Sequence, residues 1–173
     1  MRYHNITKDD MLNGEGLRTV LWVAGCSHHC PQCHNPVTWD INGGLVFDEQ
    51  AKEELFEELK KDYVSGVTFS GGDPFHLENR EEIGALAKEI REKFPDKTIW
   101  LYTGYEWKNL PSVILSNIDV IVDRKFKIEE KDKSSLERQC QQRVIDVKHP
   151  FAQERSVFTR SNERRKSSIE RQE

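Results

Sequence analysis

A chain of 173 residues fits a single domain with its own core. With 32% charged residues and a mean hydropathy of −0.76, it holds no apolar run near the ~18 residues of a membrane span. The formal net charge of −4 lacks the basic excess of a nucleic-acid binder, and the N-terminus MRYHNITKDDMLNGEG has no apolar signal segment. Membrane and nucleic-acid partners are set aside on this reading, and a cytoplasmic, reducing location is expected, with the cysteines as thiols or ligands.

The first strong element, LRTVLWVA at 17–24, is β-branched and apolar and reads as a strand ending at Gly25. It runs into GCSHHCPQCHNP, where Cys26, Cys30 and Cys33 fall within eight positions, while the fourth cysteine, Cys140, stands far off. DEQAKEELFEELKKDY at 48–63 has Asp48 as N-cap and Ala51, Leu55, Leu59 and Tyr63 at i+4 spacing, which predicts an amphipathic helix. A second strand, GVTFS at 66–70, ends in GGDP. Asn79 then caps a helix with Glu82 in the capping-box position and with Ile83, Leu86, Ala87, Ile90 and Phe94 as its buried face. KTIWLYT at 97–103, closed by Gly104, IDVIVD at 118–123 and QRVIDV at 142–147 complete the strands. Strands separated by helices predict an α/β fold with right-handed crossovers and a parallel sheet. From Lys148 the pattern dissolves, so one domain is expected over 1–147 and a mobile polar tail over 148–173, where Arg164, Arg165 and Lys166 read as solvated.

Three readings compete for the clustered cysteines. They hold a structural zinc together with one of His28, His29 or His34. Or Cys30 and Cys33 form a C-x-x-C redox pair with Cys26 incidental. Or three thiolates bind three irons of a 4Fe-4S cluster and leave the fourth iron open. The residues by themselves leave all three standing.

C-x3-C-x2-C after a first strand, with SGGDP after a second, resembles the radical S-adenosylmethionine enzymes. The segments NGEGLRTVLWVAGCSHHCPQCHNPVTW, FSGGDPFHLENREEI, IWLYTGY, DVIVDRKF and QQRVIDV run in order from Asn13 to Val147. Together they resemble the branch that activates anaerobic ribonucleoside-triphosphate reductase. That resemblance implies a 4Fe-4S cluster on Cys26, Cys30 and Cys33 with an open iron, and S-adenosylmethionine bound there by its amino and carboxylate groups. Reductive cleavage of S-adenosylmethionine would give a 5'-deoxyadenosyl radical, which generates a glycyl radical on the large catalytic subunit of the reductase. A low-potential donor such as flavodoxin or ferredoxin would supply the electron.

By the same resemblance Gly71, Gly72 and Asp73 hold the cofactor's amino end, Thr103 and Gly104 approach its sugar, with a plain turn as the alternative for Gly104, and Asp123 and Lys125 lie near its carboxylate. A Cβ at Gly72 is expected to weaken cofactor binding and leave the cluster in place. For Asp123 and Lys125 a salt bridge is the alternative; His28 is expected to shape the loop, and Cys140 to be an unliganded thiol. A complete eight-unit barrel takes ~250 residues. Residues 1–147 therefore imply a partial, laterally open (β/α) barrel of five or six parallel strands, with its site at the C-terminal strand ends. Two positions depart from the glycine usual in this branch, Gln32 and Arg124. An activase of another glycyl-radical enzyme, or a zinc- or cluster-bearing interaction module without catalysis, is the alternative function.

Overall fold

The computed structural model describes residues 1–125 and 142–148, together with the backbone of 154–155. Its first strand, β1 (Arg2–Asp10), is one that hydropathy alone does not announce, and it pairs antiparallel with β2 (Leu17–Val23). The register slips between Tyr3 and Asn5, which puts the buried residues Tyr3 and Ile6 three apart and breaks the period of two. A two-residue strand, β3 (Leu45–Val46), pairs with the other side of β1 and forms one edge of the sheet.

α1 (Glu49–Leu59) begins as expected, with the Asp48 side chain accepting from the Ala51 amide at 3.0 Å, and buries Ala51, Leu55, Phe56 and Leu59. It stops a turn earlier than the spacing suggests. The chain turns through Lys61, whose carbonyl accepts from Val64, and Tyr63 is left 55% exposed. β4 (Val64–Gly71) then leads to α2 (Arg80–Lys93), whose buried face is Ile83, Leu86, Ala87 and Ile90. The expected capping box is absent. Glu82 instead pairs with the N-terminal amine of Met1, and Asn79 has helical dihedrals and no side-chain cap bond.

β5 (Thr98–Tyr102), the short helix α3 (Ser112–Leu115) and β6 (Val120–Asp123) follow, then β7 (Arg143–Asp146) and the two-residue β8 (Glu154–Arg155). Among the described residues the sheet order is β3-β1-β2-β4-β5-β6-β7-β8, with β3 and β8 outermost. Only β2, β4, β5 and β6 are mutually parallel, while β1, β3, β7 and β8 add antiparallel ribbons on either side. The expected barrel of five or six parallel strands is therefore corrected to a mixed, open α/β sheet with a four-strand parallel centre. The reason on the β1 side is connection length. Residues 11–16 are too few for the crossover of a dozen or more residues that a parallel neighbour needs. QRVIDV does form a strand, but it runs back along β6, with Asp123 opposite Arg143. The sheet also reaches past Val147, since β8 pairs with β7 and Lys148 pairs with Asp119. Cys140, Arg164, Arg165, Lys166 and most of the expected tail lie outside the described residues.

One sheet face carries the main core, where α1 and α2 cover Leu21, Val23, Phe69, Ile99, Leu101 and Ile121. The opposite face holds Trp100, Val122 and Val144, and beside them Arg18, fully buried in the strand LRTVLWVA. Among the described residues its guanidinium reaches no carboxylate. Nε donates to Thr68 Oγ1 (2.8 Å), Nη1 to Thr98 Oγ1 (2.8 Å) and Glu15 O (3.1 Å), and Nη2 to Val67 O (2.7 Å) and Thr98 O (2.9 Å). The same group lies 5.2 Å from the Trp100 ring centroid. Burial pushes its pKa down to about 10, still protonated at neutral pH. Arg18 thus ties the N-terminal ends of three parallel strands together. Arg18→Ala is expected to cost about 3 kcal/mol or more in urea unfolding, because several buried oxygens lose a charged donor at once. Arg18→Met, which keeps packing on Trp100, should recover part of that loss. A wild-type unfolding midpoint for both would show the bonds to be incidental.

Candidate functional site

The cysteine loop leaves the C-terminal end of β2 at Gly25, which has φ +96°. Gly25 N donates to Thr38 O at 2.8 Å and Cys26 N to Trp39 O at 3.1 Å, so the loop closes over the 3-10 turn Pro36–Trp39. His29 packs edge-on against Trp39 with ring centroids 4.8 Å apart. Cys33 N donates to Cys30 O at 3.1 Å, and Asn35 N donates to Cys33 Sγ at 3.4 Å. Cys26, Cys30 and Cys33 are all half-buried free thiols. Burial pushes the Cys26 thiol pKa up, assisted by the charges of Asp73 and Cys30; the backbone amides of His28 and His29 act in the opposite direction.

Among the described residues no three His, Cys, Asp or Glu side chains converge closely enough to hold a metal ion, so ligation requires the loop to draw its thiols together. The donor set fits an iron-sulfur cluster: three soft sulfurs on one loop, none spent in a disulfide, with a backbone amide already on one of them. Of the two histidines between the first two cysteines, one is committed elsewhere and would have to leave its partner to join a zinc site. His28 Nε2 lies 2.7 Å from Asp73 Oδ2, and both side chains are buried.

Asp73 is the hub of the site. It follows the glycine pair at the end of β4, and its backbone amide donates to Gly25 O at 2.7 Å. Its Oδ1 accepts from Phe75 N (2.8 Å) and Thr103 Oγ1 (2.9 Å), and its Oδ2 accepts from Gly104 N (3.0 Å) as well as facing His28. One buried carboxylate therefore joins the cysteine loop, the end of β4 and the end of β5. Asn79 adds a second tie, donating to Ala24 O at 2.7 Å and Asp73 O at 3.2 Å. Sequence reasoning assigned Asn79 to a helix cap, and only its complete burial distinguishes the two roles.

Beside the cysteine loop opens a cavity of about 630 Å³, within the usual range for a small-molecule site. Ser27 and His28 form one wall, Gly104, Tyr105 and Glu106 the second, and Arg124 with Lys125 the third. It lies at the C-terminal ends of β5 and β6, the side of the parallel sheet where ligands bind in α/β proteins. Of the residues singled out from sequence for the cofactor, Gly104 and Lys125 line it. Thr103 and Asp73 stand behind the wall and hold it. Asp123 is fully buried and paired: Arg143 Nε donates to Oδ1 at 2.9 Å, Arg143 Nη2 to Oδ2 at 2.6 Å and Trp107 N to Oδ2 at 3.0 Å. Gly71 and Gly72 pack against β2 and the start of the cysteine loop, with Gly72 N donating to Val23 O at 2.8 Å.

Gln32 and Arg124, the two positions that lack an expected glycine, both sit in the left-handed region, at φ +56° and +79°. That conformation costs a side-chain-bearing residue roughly 1–2 kcal/mol, against about 0.5–1 kcal/mol of extra chain entropy lost by glycine. Arg124→Gly is therefore expected to keep or slightly raise the melting temperature. A fall of several degrees would show that the guanidinium holds the fold. Its Nε is buried and has no partner among the described residues, so the structure gives no sign of such a role.

No helix among the described residues is long and apolar enough to cross a membrane. Residues 12–145 match the family model of a 4Fe-4S single cluster domain. The chain is 41% identical over 128 residues to the anaerobic ribonucleoside-triphosphate reductase-activating protein of Enterobacteria phage T4, covering 73% of this chain and 82% of that relative. It is 36% identical over 150 residues to the proteins of the same name from Salmonella typhi and Escherichia coli (strain K12), covering 84% of this chain and 97% of each.

Proposed function

The chain belongs to the anaerobic ribonucleoside-triphosphate reductase-activating proteins, with a 4Fe-4S single cluster domain, and from that premise we propose that it generates the radical by reductive cleavage of S-adenosylmethionine. Cys26, Cys30 and Cys33 are the cluster ligands in this reading, and the fourth iron stays open for the cofactor. When bound, the cluster would supply the one electron for that cleavage, whose products would be methionine and a 5'-deoxyadenosyl radical able to take hydrogen from a glycine Cα of the reductase's large subunit. The electron comes from a reduced flavodoxin or ferredoxin in the cytoplasm.

The observation that carries this reading is the placement of the cavity. It shares a wall with the cysteine loop through Ser27 and His28, and it presents two cationic side chains, Arg124 and Lys125, to a ligand that carries a carboxylate. The remaining site residues act on the walls. Gly71 and Gly72 let β4 approach the loop, Asp73 and Thr103 lock β4 to β5, and Asp123 fixes the turn at Trp107. The unit that does this runs over 1–147, with Lys148 and β8 adding to its edge. The open sheet suits a protein substrate, since a glycine-bearing loop of a large partner needs lateral access.

The test is anaerobic reconstitution with iron and sulfide. Brown protein that forms 5'-deoxyadenosine on reduction, and a glycyl radical signal once the large reductase subunit is added, are the expected results. Colourless zinc protein, or reduced protein that leaves S-adenosylmethionine intact, would overturn the proposal.

A further inference from the structure

Three charged side chains line the cavity with no partner of their own. Arg124 and Lys125 stand on one wall and Glu106 on another, and among the described residues none of the three forms an ion pair. Their neighbours are committed, Asp123 to Arg143 and Asp73 to His28, Thr103 and Gly104. The main chain of Arg124 is pinned from both sides: its amide donates to Tyr105 O at 3.3 Å, and its carbonyl accepts from Gln142 Nε2 at 3.3 Å. Residue 124 is thereby held at φ +79°, where a side chain is costly. The side chain returns nothing to the fold. It makes no hydrogen bond among the described residues, and its Nε is buried without a partner. Backbone strain that the surrounding structure enforces and the fold does not use points to a ligand.

We propose that Arg124 is a specificity-determining residue: its guanidinium grips the carboxylate of S-adenosylmethionine, and the strain at residue 124 persists for that contact. The inference rests on the reading of the cavity as the S-adenosylmethionine site. Of the two cations, Arg124 is the one suited to the task. Lys125 is exposed and carries a strongly hydrated point charge, whereas Arg124 is half-buried, less screened by water, and offers a planar fork that pairs with both carboxylate oxygens. Glu106 argues against a general anion trap. With a carboxylate on one wall and two cations on another, the cavity suits a ligand that carries both charges better than a simple anion.

The experiment measures equilibrium binding of S-adenosylmethionine to the reconstituted full-length protein, kept oxidised so that the cofactor is not cleaved. Iron content and melting temperature are read on the same samples. Arg124→Gly is expected to bind about ten- to a hundredfold more weakly, the loss of one charge-assisted pair, with iron content unchanged and the melting temperature kept or raised. Arg124→Lys should recover only part of the affinity, since a point charge replaces the fork. Toward decarboxylated S-adenosylmethionine the wild type and Arg124→Gly should bind alike, because the group that Arg124 recognises is missing. Wild-type affinity in Arg124→Gly would overturn the proposal and leave the guanidinium for an acidic group of the reductase. An equal loss toward both ligands, or a loss of iron, would overturn it in favour of a role in the shape of the site. Wild-type protein that holds its cluster and binds no S-adenosylmethionine would strike the reading of the cavity itself, and this inference with it.

Discussion

Cys26→Ala, Cys30→Ala and Cys33→Ala are each expected to lower bound iron by about tenfold or more after anaerobic reconstitution. The bound follows because even outer partners of metal ligands are worth 10–100-fold in affinity, and a missing thiolate costs more. The three thiols share one loop, none is in a disulfide, and each supplies a soft donor that no neighbouring side chain replaces. His28 is held by Asp73 and cannot step in without breaking that contact. Cys140→Ala is expected to retain full iron content, since a fourth cysteine ligand would close the iron that the cofactor requires. Iron and sulfide analysis of the four variants decides the matter. Loss of iron in the Cys140 variant would make the cluster a four-cysteine, closed one and remove the radical chemistry with it.

What the sequence made legible was what depends on near neighbours in the chain. The cysteine loop, the glycine pair, the strands on either side of them and the buried faces of α1 and α2 are all set by residues within a few positions of each other. What it concealed depends on pairing direction. Asp123 reads either as a rim carboxylate near a cofactor or as half of a salt bridge; its pairing with Arg143 follows once β7 runs antiparallel to β6, a direction that no local signal fixes. Asn79 and Glu82 have the spacing of a capping box, yet the first serves Ala24 O and the second the N-terminus, because tertiary partners outbid the local ones. Arg18 looks like a polar interruption of an apolar strand, and only the hydroxyl and carbonyl oxygens of β4 and β5 explain its burial. Asp73 was legible as a site residue but not as a hub, since its partners come from positions 28, 103 and 104.

The glycine pair gives the sharpest revision, and Gly72 the second large effect. The resemblance alone implies that a side chain there would exclude the cofactor and spare the cluster. In the structure a Cβ on Gly72 would lie 2.5 Å from Gly25 O and 2.9 Å from Gly25 C, backbone atoms that cannot rotate aside. Gly25 immediately precedes Cys26, and its carbonyl accepts from Asp73 N at 2.7 Å, while Gly72 N holds Val23 O at 2.8 Å. To admit one methyl group, the end of β4 must separate from the end of β2, breaking both bonds and pulling Asp73 away from His28 and Thr103. Overpacking of this kind costs about 1–3 kcal/mol, and each buried backbone group left unpaired adds about 1–3 kcal/mol. Gly72→Ala is therefore expected to lose about 3 kcal/mol or more of stability as the cluster-free protein, read by urea unfolding, and to lose iron binding in the same preparation. Gly71→Ala should behave similarly, since Gly71 has φ +101° and its Cβ would stand 2.8 Å from Val23 O. A Gly72 variant with wild-type stability and iron content but weakened S-adenosylmethionine binding would return the glycine pair to the role of ligand cradle. The joint loss of stability and iron would instead show that the strand end and the cysteine loop form one packed unit, assembled before any cofactor arrives.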